Sequence, residues 1–391
     1  MTPDARLRAW WAHKQGLDGS LAGSSPAEIL ARTGWARSVG GAAPYLTLFS
    51  RGGFSRAQCD AAVADLSVHE LPAARGCTYV VPAEDFALAL RVGQAFASNE
   101  VRVAAKLGVT EAELGKLGEA VCKALAKGPL DTDAIREAVG AATRSLGPEG
   151  VKKGITTTLP VALGTLQAEG VIRRISTNGR LDQQRYKYAL WNPSPLAKYK
   201  FSSEQAFAEL ARRYFSWTGG ASLSEFQWFS GLSGKAAKAA VEPLRLESVI
   251  EERLMLPEDR ETFERFQTPK HPQYAVVSSL DGINQLRREL RSLVAEEDWN
   301  RPEIQNEKSV VDLPAHSLFD RGRLVGLWVF DPETNTIAWM SFVKRDRAMR
   351  DAVAHMEQFI RDDLGDARSF SLDSPKSRVK KIAELRKAAS A

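Results

Sequence analysis

The sequence predicts a mainly α protein with small β-hairpins, built as tandem winged helix-turn-helix units followed by a C-terminal α+β unit. Three observations predict it. Apolar residues recur at i, i+3 and i+4 through residues 83–97, 111–127 and 202–215, while 77–81, 171–176, 185–191 and 249–254 are short and β-prone. Residues 111–191 read helix, helix, helix, hairpin, and 202–254 repeat that order. No regular βαβ alternation and no glycine-rich phosphate loop after a strand is present, which excludes a doubly wound parallel sheet and argues against a nucleotide cofactor.

Each element has a local cause. The N-terminal residues form an amphipathic helix that buries Leu7, Trp10 and Trp11. A first copy of the repeat spans 25–82, with helices at 26–33 and 56–66 and a hairpin of HELPAA and CTYVVP turning at Arg75-Gly76. In the middle copy a helix ends near Lys127, Asp131 caps a short helix running to Val139, and Gly140 stops it. Thr156, Thr157 and Thr158 cap the third helix, with Pro160 in its first turn and Gly170 after its end. VIRRIS and RYKYALW then form a hairpin, for which Asn178-Gly179 is the turn signal.

In the last copy, helices at 202–215, 222–229 and 235–244 are separated by Gly219-Gly220 and Gly231, and a strand follows at 249–254. The turn glycine and stop glycine are 12 positions apart in both copies, Gly128 to Gly140 and Gly219 to Gly231, which supports duplication of a fold. After about 270, LFDRGRLVGLWVF and TIAWMSF flank a turn at 331–335, and helices follow at 345–364 and 376–388. The domains expected are 1–97, 98–192, 201–268 and 269–391, with a Pro-, Ser- and Lys-rich linker at 192–200.

The 391 residues suffice for several buried cores, and 44% hydrophobic with 26% charged residues excludes wholesale disorder. The net charge of +5 permits a polyanionic partner. Cys59, Cys77 and Cys122 are odd in number and without CxxC spacing, so a disulfide framework is not expected and a reducing cytoplasm is. The N-terminus has no signal-peptide apolar core, and no run is long enough to span a membrane. His13, His69, His271, His316 and His355 show no metal-ligand spacing, so neither a metal nor another cofactor is expected.

The expected partner is double-stranded DNA, with localisation at the nucleoid. Winged helices hold DNA with the third helix and the wing. In the middle copy Lys152 and Lys153 precede the third helix, Thr156, Thr157 and Thr158 supply hydroxyls at its start, and Arg173, Arg174, Arg180, Arg185 and Lys187 make the wing basic. The third helix carries Thr165, Gln167 and Glu169 but no Arg or Lys, which argues against strong sequence reading. In the last copy Lys235 and Lys238 lie one turn apart. Surface charges also occur simply as solvated faces. No Ser-His-Asp or Cys-His arrangement stands out. His69 and Glu70 beside the first hairpin are acid/base candidates, and Asp182, Gln183 and Gln184 are polar groups on the middle wing near the proposed DNA surface. Of these, Glu70, Asp182 and Gln183 are the catalytic candidates.

With YFSWTGGASLSEFQWFSGL in the last copy, RGCTYVVPAEDF in the first hairpin and LFDRGRLVGLW near the end, the chain resembles the AlkZ/YcaQ-like bacterial winged-helix DNA glycosylases over most of its length. The resemblance implies cofactor-independent hydrolysis of the N-glycosidic bond of alkylated bases, notably N7-alkylguanine, and of some interstrand crosslinks. It also places the family's catalytic motif, Gln, a hydrophobic residue, then Gln or Asp, shortly before PYLTLFSR. Arg37, Ser38 and Val39 stand there, and Tyr79 stands where the hairpin of the family carries a His. A Gln or carboxylate positions water or stabilises a cationic sugar; Arg37 and Val39 do neither.

Three functions remain open on the sequence: a glycosylase with displaced catalytic groups, a noncatalytic DNA binder acting as lesion sensor or regulator, and a protein-interaction scaffold.

Overall fold

A computed structural model describes residues 5–250, 252–287, 290–304 and 313–390. The protein is mainly α-helical with small antiparallel sheets. Helix α1 (Ala5–Lys14) buries Leu7, Trp10 and Trp11 as expected. Helix α2 (Pro26–Thr33) begins with a capping box in which Ser25 and Glu28 satisfy each other's backbone N–H groups. Strand β1 (Ala36–Arg37), helices α3 (Ala43–Gly52) and α4 (Arg56–Ala64), and strands β2 (Val68–Pro72) and β3 (Thr78–Pro82) follow. Helix α3 is not among the elements expected from the sequence; its N-cap position, Ala42, offers no capping side chain, and seven of its ten residues are buried. The expected hairpin turn forms with Arg75 at φ 57° and Gly76 at φ 66°. Helix α5 (Phe86–Ala105) extends eight residues beyond the expected end at 97.

The middle region begins with α6 (Glu111–Leu125), β4 (Leu130–Asp131) and α7 (Thr132–Val139), where the Asp131 side chain accepts from Ala134 N and Gly140 ends the helix at φ 48°. Helices α8 (Gly147–Lys152) and α9 (Thr158–Ala168) precede β5 (Ile172–Ser176) and β6 (Tyr186–Leu190), and the sheet order is β4-β6-β5. Gly179, at φ 76°, closes a turn onto the Ser176 carbonyl, as the Asn-Gly pair predicts. The loop is nevertheless longer than a tight turn, because Leu181 is drawn away into a different core. Leu117, Val121, Ile135, Leu159, Leu163 and Ile172 form this region's own core.

Helices α10 (Ser203–Thr218), α11 (Leu223–Ser230) and α12 (Gly234–Val241) follow, and Gly219 and Gly231, both in the left-handed region, cap the first two. The single strand expected at 249–254 is instead a hairpin of β7 (Glu247–Ile250) and β8 (Arg253–Met255); Glu251 lies outside the described residues. After α13 (Pro257–Arg265), strand β9 (Tyr274–Val277), helix α14 (Gly282–Gln285) and strands β10 (His316–Asp320), β11 (Arg323–Asp331) and β12 (Thr336–Ser341) build a four-stranded sheet in the order β12-β11-β10-β9. The Asp331 carboxylate accepts from Glu333 N, making the expected turn. A second turn at Arg321 and Gly322, both at positive φ, divides LFDRGRLVGLWVF into two strands. Helix α15 (Arg347–Phe359) continues as a π-helical turn (Ile360–Leu364), and α16 (Pro375–Ser390) ends the described chain. Among the described residues no helix is long and apolar enough to cross a membrane.

The β1-β3-β2 sheet lies between two cores. One face contributes Leu71, Tyr79 and Val81 to a cluster with Phe207, Tyr214, Trp217 and Phe229. The other contributes Ala36, Val68 and Val80 to a cluster with Tyr45, Leu318, Trp328 and Met349. Residues 21–80 and 276–367 therefore share one core.

Candidate functional site

The basic residues of the middle region separate into committed and exposed groups. Arg173 pairs with Ala189 and Arg174 with Tyr188, so the two arginines project from opposite faces of β5. Both are half-buried. Arg174 places its guanidinium 5.2 Å from the Tyr186 ring centre, and Arg173 lines a cleft with Glu84, Phe86 and Trp191. Arg180 donates to both carboxylate oxygens of Asp182 and to the Leu364 carbonyl at 3.1 Å. Lys152 pairs with Glu149 at 2.7 Å. Thr157 occupies the N-cap of α9 but makes no side-chain cap bond, contrary to expectation. Thr158 is turned inward and fully buried, its hydroxyl accepting from Arg144 N, so it offers nothing to a phosphate. Lys152, Lys153, Thr156, Arg185 and Lys187 are exposed, as are Lys235 and Lys238 on α12.

The positions singled out by the resemblance meet in space. Arg37 and Tyr79 are direct cross-strand partners, and the Arg37 guanidinium lies 5.3 Å from the Tyr79 ring centre. Arg75 flanks the same tyrosine and packs 3.7 Å from the Trp228 ring centre.

Glu70 belongs to the other face. Its partner on β3 is Val80, whereas Tyr79 opposes Leu71 and Arg37. The Ser38 hydroxyl donates to the Glu70 carboxylate, the Tyr186 hydroxyl donates to it as well, and Arg174 lies close by. His69, adjacent in sequence, faces away from Glu70, so the two form no acid/base pair. Its ring packs edge-on to Phe86 and Trp191, and burial, reinforced by Arg173, pushes its pKa down to about 3. Asp182 is buried and structural in its contacts: Arg180 holds its carboxylate, and its carbonyl accepts from Arg368. The neighbouring Leu181 N donates to the Tyr45 hydroxyl at 2.8 Å, and that hydroxyl donates to Asp60. Gln183 is half-buried, while its neighbour Gln184 rests on Gly40, where a Cβ would collide with it.

Burial pushes the Glu70 carboxyl above its ordinary value near 4.5, against the opposing pull of Ser38, Arg174 and Tyr186. The folded protein therefore holds the Glu70 proton to a higher pH than the unfolded chain. Its contribution to stability is complete below about 4.5 and is lost as pH rises through the raised native value. Glu70→Gln is expected to flatten that part of the pH–stability profile. Urea midpoints of the wild type and variant from pH 4 to pH 8 check this, and parallel profiles would refute it.

Comparison with known proteins covers the segment that holds these residues. A family model described as DNA glycosylase AlkZ-like matches residues 34–360, a span that begins just before Trp35 and includes Arg37, Glu70 and Tyr79. Among solved structures, the Streptomyces sahachiroi DNA glycosylase AlkZ is similar in fold, with a TM-score of 0.68 at 17% identity, covering 95% of this chain and 99% of that one. No curated protein matches at a significant level. The family match extends over most of the chain, which belongs to the AlkZ-like DNA glycosylase family.

Proposed function

We propose that this protein is a duplex-DNA-binding member of its family that engages alkylated or crosslinked DNA without hydrolysing the N-glycosidic bond at the family's motif position. The observation that carries this reading is Arg37 lying over Tyr79. Breaking an N-glycosidic bond develops positive charge on the sugar, and a fixed guanidinium at that point opposes it. Val39, two positions on, has no side-chain acceptor, and Glu70 projects from the opposite face of the sheet.

The DNA-binding part of the reading rests on winged-helix units. Helices α6, α7 and α9 with sheet β4-β6-β5 form one, and α10, α11 and α12 with the β7-β8 hairpin form another. On this reading the two units lie within 98–192 and 201–268, and the protein works in the cytoplasm at the nucleoid. The residues before 97 and after 269 pack on one shared core, and α5 runs across position 97. Exposed Lys152, Lys153, Thr156, Arg185, Lys187, Lys235 and Lys238 supply the phosphate contacts.

A second reading is favoured by the environment of Glu70. A carboxyl bonded by Ser38 and Tyr186, and held above its ordinary range by burial, is the acid/base group that hydrolysis by a displaced residue would need.

One experiment separates the two. A duplex carrying N7-methylguanine is incubated with wild type, Glu70→Gln or Asp182→Asn, then split between a mobility-shift gel and hot alkali. The expected result is a shifted duplex without alkali-labile breaks. Breaks made by the wild type and lost in Glu70→Gln would establish the second reading. A duplex that is neither shifted nor broken would sink both.

A further inference from the structure

Few large apolar side chains are strongly exposed among the described residues, and two of them stand one residue apart, between the π turn after α15 and the start of α16. Phe370 is 47% exposed and Leu372 is 84% exposed. Exposing two large apolar groups side by side has no folding advantage.

The segment that carries them is fixed. Arg378, only 6% exposed, grips both Asp366 oxygens at 2.8 and 2.9 Å and approaches Asp373 at 3.5 Å. Asp373 in turn accepts from Ser369 N at 2.9 Å and from the Ser377 hydroxyl at 3.0 Å, while its own N–H donates to the Phe370 carbonyl at 3.0 Å. Residues 369–373 are thus a closed turn on a buried anchor, and the two side chains are held outward on a preorganised support.

The turn is docked between the two features that the proposed function uses. Ala42 N donates to the Arg368 carbonyl at 2.9 Å, and Ser371 N donates to the Val39 carbonyl at 3.1 Å. At Gly41 a Cβ would collide with the Ser369 carbonyl oxygen, so glycine permits this approach. On the other side, the Arg368 guanidinium donates to the Asp182 carbonyl in the basic hairpin loop. The apolar tip therefore stands beside Arg37, Ser38 and Val39 and next to the loop that leads to exposed Arg185 and Lys187.

We infer that Phe370 and Leu372 form a wedge that enters the base stack of duplex DNA where a nucleotide is displaced or missing. Apolar side chains inserted at a base step unstack it and fill the gap, while flanking cations hold the phosphates on either side. The charge of the neighbouring hairpin favours a nucleic acid over an apolar protein surface as the occupant. The inference rests on the DNA-binding reading above and adds to it the structure recognised: an unstacked or gapped step in a duplex.

The test uses the full chain and a duplex with a tetrahydrofuran abasic analogue beside a 2-aminopurine. Wild-type protein is expected to shift this duplex and raise the 2-aminopurine fluorescence. Phe370→Ala/Leu372→Ser is expected to bind about tenfold more weakly, as loss of base stacking implies, and to leave the fluorescence unchanged. Should the double variant melt early, Leu372→Ser alone, at the more exposed position, gives the same readout. Wild type and variant equal in affinity and fluorescence, or a fluorescence rise that survives the substitutions, would overturn the wedge while leaving DNA binding in place. A wild type that does not shift the duplex would overturn both.

Discussion

Arg51→Ala is expected to lower the unfolding free energy by about 3–5 kcal/mol, the usual consequence of stranding one partner of a buried ion pair. Arg51 on α3 is 1% exposed and Asp281, the N-cap of α14, is fully buried. Two parallel bonds of 2.7 and 2.8 Å join the guanidinium to the carboxylate, and Thr47 adds a third contact to Asp281 at 3.2 Å. The same guanidinium donates to Gln15 at 3.2 Å, and Gln15 bonds the carbonyls of Thr33 and Trp217, each at 2.8 Å. One charge pair therefore joins the segment after α1 to the ends of α2, α3 and α10 and to the start of α14. Removing the arginine leaves the Asp281 carboxyl buried without its partner, whereas Arg51→Met/Asp281→Leu removes both groups and is expected to recover most of the loss. Urea unfolding of the three proteins tests this; a loss below about 1 kcal/mol in the single variant would show that water reaches the pair.

The sequence made local structure legible and left long-range structure hidden. Asp131 capping α7, the left-handed glycines at 219 and 231 and the Asn178-Gly179 turn all act within a few residues of themselves, so their chemistry can be read from the chain. Helix α3 lacked such a local mark, since Ala42 at its start offers no capping side chain. Thr158 illustrates the same limit: a hydroxyl at a helix start reads as a cap, yet its direction is decided by packing against Thr143 and Arg144.

The candidate site divides along the same line. The pairing of Arg37 with Tyr79 came within reach only because the resemblance marked both positions. That Glu70 lies on the opposite face follows from a strand register that no local pattern reveals. Tyr186 and Arg368 carried no signal of their own, because each acquires its role from a distant segment that it touches.

Arg185→Ala/Lys187→Ala is expected to weaken duplex binding about tenfold at low salt and to make the slope of log affinity against log salt shallower by about 1.8, or about 0.9 for each phosphate left without its cation. Both side chains are exposed at the loop end of the β5-β6 hairpin, so the fold does not depend on them. Arg180 lies in the same hairpin, yet it is committed to Asp182 and the Leu364 carbonyl. Arg180→Ala is accordingly expected to lower thermal stability with little change in the salt slope. Lys235→Ala/Lys238→Ala supplies the second comparison, on α12. If that pair changes the slope by a similar amount, both repeated units touch the duplex and the bound DNA must follow a surface reaching from one to the other. If only the hairpin variant changes it, a single wing holds the backbone, and recognition falls to the neighbouring segment around Val39 and the apolar tip docked on it. An unchanged slope in every variant would mean that these lysines and arginines merely solvate their elements.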